Sequence, residues 1–324
     1  MKKELGIAVL VAVICIGLTV YSREMFLSPD NVQDMLKRIS VNGIFSIGLG
    51  VVIITGGIDL SVGSVFALQG VLLGLTLNEK QWPFSLAVLA SILLCIGLGA
   101  IHGFLVTKAK LQPFIVTLCG LLIYRSLARS IMDDHSQGLG EANYGWLESA
   151  VSGKIQLPQN FYIPSSFIIL LVVAAIMWVV LHRSVYGRYL FAIGRNEEAA
   201  RFSGINTKLV IASAYMLCLA LAAISGIILV FDVRSIGPSN FGLSYELYGI
   251  AAAVLGGCSL KGGEGSVIGV ILGTALLQVL LNLVQLVGIK STWEGTVLGT
   301  VILLGVLIDQ FIQSRRSTVK LMKA

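Results

Sequence analysis

Residues 84–107 read FSLAVLASILLCIGLGAIHGFLVT, an apolar run without Asp, Glu, Lys or Arg. A helix of about 20 such residues crosses the hydrocarbon core of a bilayer, and about ten comparable runs follow one another along this chain. They cover residues 5–21, 39–55, 62–77, 84–107, 111–131, 164–182, 209–231, 246–260, 266–289 and 293–312. The second, third and eighth runs are short and end in glycine-rich turns, a pattern that is also typical of broken or re-entrant helices. The sequence predicts an all-α, polytopic membrane protein with a single transmembrane domain over residues 1–324.

The overall composition supports the same fold class. The chain has 324 residues, of which 56% are hydrophobic and 12% charged, and its mean hydropathy is +0.89. A soluble domain carries about 25% charged residues, so this chain cannot cover itself with polar surface in water. The 36 glycines suit closely packed membrane helices. The net charge of +6 is not arranged as a basic stripe with interleaved aromatics, so no nucleic-acid partner is expected and lipid is the expected surrounding.

The distribution of Lys and Arg predicts how the helices are oriented. Cytoplasmic loops carry an excess of basic residues. If the N-terminus is cytoplasmic and ten spans alternate, the basic clusters fall inside, including those in the loop at residues 183–208. The long polar loop at residues 132–163, which is rich in acids, then faces outward. Both termini are therefore predicted to be cytoplasmic, with the apolar N-terminal run retained as the first span.

The basic loop contains the segment GRNEEAARFSG, residues 194–204, which predicts a short capped helix. Asn196 can accept hydrogen bonds from backbone N–H groups of the first turn, and the two following acids suit the positive end of the helix dipole. Gly204 can supply a left-handed stop after residue 203. An isolated helix this short is marginal, which favours docking into a partner over an ordinary surface helix between spans. The residues assigned to this segment are Asn196, Glu197, Glu198, Ala199, Ala200, Arg201, Ser203 and Gly204.

A second segment, TGGIDLSVGSV at residues 55–65, places a charged residue between two apolar runs. Asp59 either shapes a re-entrant turn near an inner gate or forms a structural turn at the water boundary, where Ser61 caps the following helix. Residues 255–267, LGGCSLKGGEGSV, resemble this segment once a two-residue insertion is allowed. The similarity indicates either an internal repeat, as in many transporters, or chance likeness between glycine-rich turns.

Uncharged polar residues lie at helical spacing in two apolar runs. Four of them share one face of the ninth run, and two form a smaller stripe on the second run. Their side chains either bind the hydroxyls of a solute in a pore or hydrogen-bond neighbouring helices together. Arg125 and Arg129, at the end of the fifth run, are expected to snorkel to the membrane interface. The candidates for the path or its gate are Asn42, Ser46, Asp59, Ser61, Thr274, Gln278, Asn282 and Gln285.

Three blocks of sequence resemble one transporter family. YGRYLFAIGRNEEAARFSGIN (186–206), GGIDLSVGS (56–64) and SYELYGIAAAVLGGCSLKGGEGS (244–266) are similar, in this order, to hallmark segments of ribose/xylose/arabinose-type ABC permeases. One departure is Tyr248, where the family commonly has an acid, and it leaves the solute open. The resemblance covers nearly the whole chain.

This resemblance implies a fold like that of type II ABC importers in the bacterial cytoplasmic membrane. Two permease copies, or one copy and a paralogue, would form the pore. The helix at residues 196–203 would dock into a separate ATPase subunit, which binds the ATP and Mg²⁺. An extracytoplasmic binding protein would deliver a small polar solute, most simply a monosaccharide. Branched-chain amino acids and nucleosides are the alternative solutes within the same superfamily.

Other classes of membrane protein lack support in the sequence. No GxxxxGK[ST] motif is present, so the chain has no nucleotide-binding loop of that kind. An ion-coupled transporter would need ionisable relays inside its spans, and here few ionisable residues lie away from span ends. A membrane enzyme would need an acid–base pair, an activated nucleophile or a metal cluster, and the sequence suggests none. We therefore expect a transport subunit without catalytic, cofactor-binding or metal-binding residues.

Overall fold

The computed structural model describes residues 2–139, 144–158, 161–297, 299–300, 303 and 307. Within these residues the protein is built almost entirely from helices, with two short antiparallel pairs of strands. The helices are α1 Lys2–Tyr21, α2 Arg23–Phe26, α3 Pro29–Ile54, α4 Val62–Gly74, α5 Phe84–Thr107, α6 Pro113–Ile131, α7 Trp146–Ser152, α8 Ser165–His182, α9 Val185–Arg195, α10 Glu197–Phe202, α11 Thr207–Val233, α12 Tyr245–Leu255 and α13 Val267–Leu286. A π-helical turn, Leu75–Glu79, extends α4, and a 3₁₀ turn spans Ser291–Trp293.

Eight helices in the described part of the chain are long and apolar enough to cross a membrane. They are α1, α3, α4 with its π-helical extension, α5, α6, α8, α11 and α13. They confirm the predicted all-α, polytopic membrane class and correspond to eight of the predicted runs. The run predicted at 246–260 contains only the 11-residue helix α12, and the run at 293–312 lies largely outside the described residues.

Helix α3 is longer than its apolar run predicts. The prediction began at residue 39, whereas the helix has 26 residues and begins at Pro29, after Ser28 accepts a hydrogen bond from the Asn31 amide at 3.3 Å. Hydropathy missed the first ten residues because they include charged side chains such as Lys37 and Arg38. These charges face a water-accessible cavity described below, so their desolvation cost is small.

The core of the protein forms around α3 and α11. In the most apolar 18-residue stretch of α3, 78% of the residues are buried. The corresponding share is 67% in α11 and 6% in α1. Helices α5, α8, α12 and α13 also pack around these two. Helix α1, which contacts mainly α13, leaves most of its apolar side chains exposed, as expected for a helix surrounded by lipid.

Glycines allow the central helices to approach backbone to backbone. A Cβ atom placed on Gly48 of α3 would lie 3.0 Å from the Cα atom of Cys218 on α11. The equivalent distance from Gly103 of α5 to the Cα atom of Ala212 is 2.5 Å. Small residues at such crossings increase dispersion contacts between helices that share the same apolar solvent. The high glycine content of the sequence therefore has a packing role here.

Short strands and α7 cover one end of the helical bundle. Strands Gln137–Gly138 and Ser235–Ile236 pair antiparallel, as do Lys154–Gln156 and Tyr162–Pro164. Arg234 forms an ion pair with Glu148 of α7, which ties the end of α11 to this cover. This end contains the acidic loop predicted to face outward. Helix α10 lies in a loop at the other end of the bundle.

Candidate translocation path and coupling segment

The short capped helix predicted in the basic loop is present as α10. It begins after Asn196, whose Oδ1 atom accepts a hydrogen bond from the Ala199 amide at 2.9 Å. It ends at Phe202, one residue earlier than predicted, and Gly204 follows with a φ of +86°. The hydroxyl of Ser203 donates to the Ala199 carbonyl at 3.0 Å. Local capping therefore fixes the two ends of a helix that is too short to be stable alone.

The exposed face of α10 combines an aromatic ring with an ion pair. Phe202 is 80% exposed, whereas Ala200 is buried against the bundle. Arg201 lies 3.8 Å from Glu198, and its guanidinium is 5.7 Å from the centre of the Phe202 ring. Exposed ion pairs of this kind contribute little to folding stability. A solvent-facing phenyl ring beside paired charges is instead typical of a protein-binding surface.

A cleft of about 620 Å³ separates α10 from the turn that follows α3. The cleft is therefore bounded on one side by α10 and on the other by the turn that contains Asp59. Its lining residues are Thr55, Gly56, Gly57, Val106, Thr107, Lys110, Leu111, Gln112, Pro113, Glu197, Glu198, Arg201, Thr207, Lys208, Ile211 and Tyr215.

Asp59 is fully buried rather than placed at a water boundary. Its side chain has 0% exposure, and its Oδ1 atom accepts hydrogen bonds from the Ser61 amide at 2.8 Å and the Ser61 hydroxyl at 2.6 Å. Ser61 occupies the N-cap position of α4, but its side chain forms no cap hydrogen bond. The prediction that Ser61 caps the next helix is therefore wrong, because its hydroxyl instead donates a hydrogen bond to the Asp59 carboxylate. The two side chains close a local turn inside the protein.

The other carboxylate oxygen of Asp59 faces His102 of α5, a pairing that the sequence did not reveal. His102 is 1% exposed, and its Nδ1 atom lies 3.7 Å from Oδ2 of Asp59. Its Nε2 atom is 2.9 Å from the hydroxyl of Tyr124 on α6. Among the described residues, Asp59 Oδ2, His102 Nδ1 and the Tyr215 hydroxyl form no hydrogen bond. This buried cluster links the turn to α5 and α6 and lies beside Tyr215 at the edge of the cleft.

A second cavity, of about 410 Å³, opens between the first turns of α3 and α12 and the last turns of α11 and α13. Its wall combines amides, phenol groups and charged side chains, including an ion pair of 3.3 Å between Lys37 and Asp232. We call it the outer cavity. Its lining residues are Asp34, Lys37, Arg38, Val41, Asn42, Leu229, Asp232, Val233, Tyr245, Tyr248, Gln278, Leu281, Gln285 and Glu294.

The structure divides the predicted polar stripes into two groups. Asn42, Gln278 and Gln285 line the outer cavity. Asn282 instead forms reciprocal amide hydrogen bonds with Asn31 of α3, at 2.6 and 3.3 Å. Thr274 donates to the Val270 carbonyl of its own helix at 2.9 Å. The helix-bonding alternative therefore occurs at Asn282, whereas Asn42, Gln278 and Gln285 face a cavity and their contact with a solute stays a prediction.

Ser46 lies on α3 one turn beyond Asn42, away from the outer cavity. Its hydroxyl donates to the Asn42 carbonyl at 2.5 Å, and its side chain is 0% exposed. The structure therefore places Ser46 inside the packed core rather than on the cavity wall. A hydroxyl that bonds back to its own helix is satisfied without a solute.

Arg125 does not simply snorkel, as the sequence suggested. Its guanidinium donates to the carbonyls of Pro238, Phe241 and Gly63 at 3.0, 2.6 and 3.0 Å. It thereby ties α6 to the start of α4 and to the loop before α12. Arg129, one turn later, is exposed and pairs with Asp134. Spacing alone did not distinguish these two roles because both residues lie on the same helical face.

Comparison with known proteins places the chain in a transporter family. The family described as "Branched-chain amino acid transport system / permease component" matches residues 31–306. The ribose import permease protein RbsC of Bacillus subtilis is 39% identical over 307 residues, which is 94% of this chain and 91% of the relative. The fructose import permease protein FrcC of Rhizobium meliloti is 31% identical over 89% of this chain and 80% of its own length.

A third relative shows the same extent of similarity. The D-allose transport system permease protein AlsC of Escherichia coli is 30% identical over 90% of this chain and 86% of the relative. These matches span the outer cavity, the buried turn and α10 together, and they confirm the resemblance drawn from the three sequence blocks. The chain therefore belongs to the permease-component family of branched-chain amino acid transport systems, whose members include sugar import permeases.

Proposed function

We propose that this chain is the membrane-spanning subunit of an ATP-driven importer that carries a monosaccharide across the bacterial cytoplasmic membrane. The observation that carries this proposal is the similarity, over most of the chain, to permeases named for ribose, fructose and D-allose. All three are import permeases or transport-system permeases for monosaccharides. The family description alone would also allow branched-chain amino acids.

The chemistry of the outer cavity supports a polyhydroxylated solute. Ligand sites of this kind measure about 300–1,000 Å³, and the outer cavity is within that range at about 410 Å³. The amides of Asn42, Gln278 and Gln285 can each donate and accept, as sugar hydroxyls require. Tyr245 and Tyr248 add phenol hydroxyls and ring faces to the same wall. A branched-chain amino acid would instead require an apolar pocket for its side chain.

We further propose that α10 docks into a separate ATPase subunit. Its ends are capped and its Phe202 ring and Glu198–Arg201 pair face solvent, which suits binding to a groove on a partner. The ATP and Mg²⁺ then belong to that partner. ATP-driven closure of two ATPase subunits would displace α10 and shift the bundle between outward-open and inward-open states.

The remaining parts of the assembly follow from the same proposal. The pore would contain two copies of this permease domain, or one copy and a paralogue, each with ten spans and both termini cytoplasmic. A binding protein would deliver the sugar to the end covered by α7 and the short strands. From there the path would run through the outer cavity and past the Asp59 turn to the cleft beside α10.

Transport by the reconstituted complex tests this function. Proteoliposomes containing the permease, its ATPase and its binding protein would be offered ribose, xylose, arabinose, allose, fructose and leucine. The proposal expects ATP-dependent, saturable uptake of at least one monosaccharide and no uptake of leucine. Uptake of leucine without any sugar would assign the chain to the amino-acid branch of the family.

A further inference from the structure

Three backbone segments meet next to α10 with no side chain between them. A Cβ atom placed on Gly194, in the last turn of α9, would lie 1.9 Å from the Ile54 carbonyl oxygen and 2.4 Å from the Gly263 nitrogen. The Gly263 amide donates to the same Ile54 carbonyl at 2.8 Å. The end of α9, the end of α3 and the turn after α12 are therefore in direct backbone contact. We call this contact the glycine junction.

The glycine junction also joins the two similar glycine-rich turns to each other. A Cβ atom on Gly262 would lie 2.8 Å from the Gly194 oxygen and 3.0 Å from the Gly56 nitrogen. Gly262 and Gly263 have φ values of +83° and +74°, a region that other residues rarely adopt. Both close approach and backbone conformation therefore require glycine at these positions. The three sequence blocks that carry the family resemblance meet at this one place.

The position of the junction connects the coupling segment to the outer cavity. Gly194 is two residues before Asn196, the residue that begins α10. On the other side, Ile54 is the last residue of α3, and Asn42 of the same helix lines the outer cavity. The 12 residues between them span about 18 Å of a continuous helix. A displacement of α9 thus reaches a rigid helix that lines the proposed solute site.

Backbone contacts transmit such a displacement better than side-chain contacts do. A long side chain can change rotamer and absorb a shift of an ångström, whereas a carbonyl held by a hydrogen bond and pressed against a glycine cannot. At Gly194 the glycine junction has no such long side chain, because the nearest atoms belong to the backbone. An ATPase that moves α10 must therefore either move α3 and the turn after α12 as well, or break the glycine junction.

We propose that the glycine junction is the element that couples movement of α10 to α3 and so to the solute path, and that Gly194 is a positioning residue for this coupling. This inference rests on the proposed function as an ATP-driven importer. It assigns a mechanical role to Gly194, Gly262 and Gly263, none of which contacts the outer cavity. Its central requirement is that the end of α9, the end of α3 and the turn after α12 move together.

Substitution of Gly194 by Ala, in the complete reconstituted complex, tests this requirement. The added methyl group must push the end of α9 away from Ile54, so we expect uptake to fall by about tenfold, within the usual range of coupling free energies. Basal ATP hydrolysis should stay within about twofold of wild type, because the substitution leaves the ATPase site untouched. Gly97→Ala is the matched control, since nothing lies within 4 Å of a Cβ placed there on α5.

The outcomes separate this inference from the proposed function. If wild type itself fails to take up any sugar with ATP, the proposed function fails. If wild type transports and Gly194→Ala transports equally well, the glycine junction has no coupling role. Loss of both uptake and ATP hydrolysis through misassembly would shift the decision to a measurement on the wild-type complex.

Hydrogen exchange on the wild-type complex provides that measurement. With a non-hydrolysable ATP analogue bound, we expect exchange to change together in peptides covering residues 190–204, 52–58 and 258–266. Because the Gly263 amide is bonded to Ile54, its protection reports directly on the junction. A change confined to residues 190–204 would overturn the proposal whatever the variants show.

Discussion

The Nδ1 atom of His102 lies 3.7 Å from the Oδ2 atom of Asp59, and both side chains are almost completely buried. The distance is too long for a hydrogen bond, but the imidazole is the polar group that faces this carboxylate oxygen. Asp59 lies in the turn between α3 and α4, and His102 lies in α5, so the pair ties the turn to the surrounding bundle. A buried carboxylate without a compensating group would be costly.

Removal of His102 is therefore expected to destabilise the protein. His102→Leu leaves Oδ2 of the Asp59 carboxylate facing an apolar side chain and the Tyr124 hydroxyl without its partner, and should lower the free energy of unfolding by about 1–3 kcal/mol. Unfolding of the purified chain in detergent, followed by heat or denaturant, measures the effect.

The double variant provides the control for this prediction. Asp59→Asn removes the carboxylate that faces His102, so Asp59→Asn/His102→Leu should cost less than the sum of the two single variants. Strict additivity in this double-mutant cycle would show that the two side chains do not interact.

Gln278 is the amide that we expect to contact the solute. Gln278→Leu keeps a side chain of similar size but removes the amide's N–H donors and its carbonyl acceptor from the outer cavity, so KM for the transported sugar should rise about tenfold. Concentration-dependent uptake by the reconstituted complex measures this change. The permease should remain as stable as wild type, and an unchanged KM would remove Gln278 from the path.

Asn282 should behave differently, although it lies on nearly the same helical face. Asn282→Leu removes the two hydrogen bonds to Asn31 and leaves Oδ1 of Asn31 without its donor, although Nδ2 keeps its bond to the Phe26 carbonyl, and we expect a loss of about 1–3 kcal/mol in stability. The double variant Asn31→Leu/Asn282→Leu should recover part of that loss because no amide then remains unpaired. The KM for sugar should stay unchanged in both variants, and a KM effect equal to that of Gln278→Leu would place Asn282 in the pore.

The exposed face of α10 is expected to be essential for coupling. Glu198→Ala and Arg201→Ala should each abolish the stimulation of ATP hydrolysis by sugar-loaded binding protein, and Phe202→Ala should do the same. The exposed positions of all three side chains mean that folding should be unaffected. Leu209→Ala, at an exposed position in the first turn of α11, serves as the control. Full stimulation in all three α10 variants would contradict docking through this helix.

Two features that depend on local sequence were predicted correctly. The length of the apolar runs was sufficient to predict eight helices. The capping residues Asn196 and Gly204 predicted the end of α10 to within one residue. Both rest on interactions among neighbours in the chain, such as capping and solvation of a single span.

Features that depend on packing were missed. The Asp59–His102 pair joins residues far apart in sequence, and spacing could not show it. The charged start of α3 was left out of the predicted span because a helix that lines a wet cavity does not need to be apolar. The polar stripe on α13 divided between the cavity and a helix contact. Residues three and four positions apart share one helical face, but that face meets two different neighbours along α13.

The central claim is that this chain is a conduit moved by a separate ATPase. Its most direct test is radiolabelled-sugar accumulation in proteoliposomes that contain the permease alone, compared with vesicles that also contain the ATPase and binding protein. The account predicts uphill accumulation only in the complete vesicles with ATP. Uphill accumulation by the permease alone, driven by a proton or sodium gradient, would contradict it.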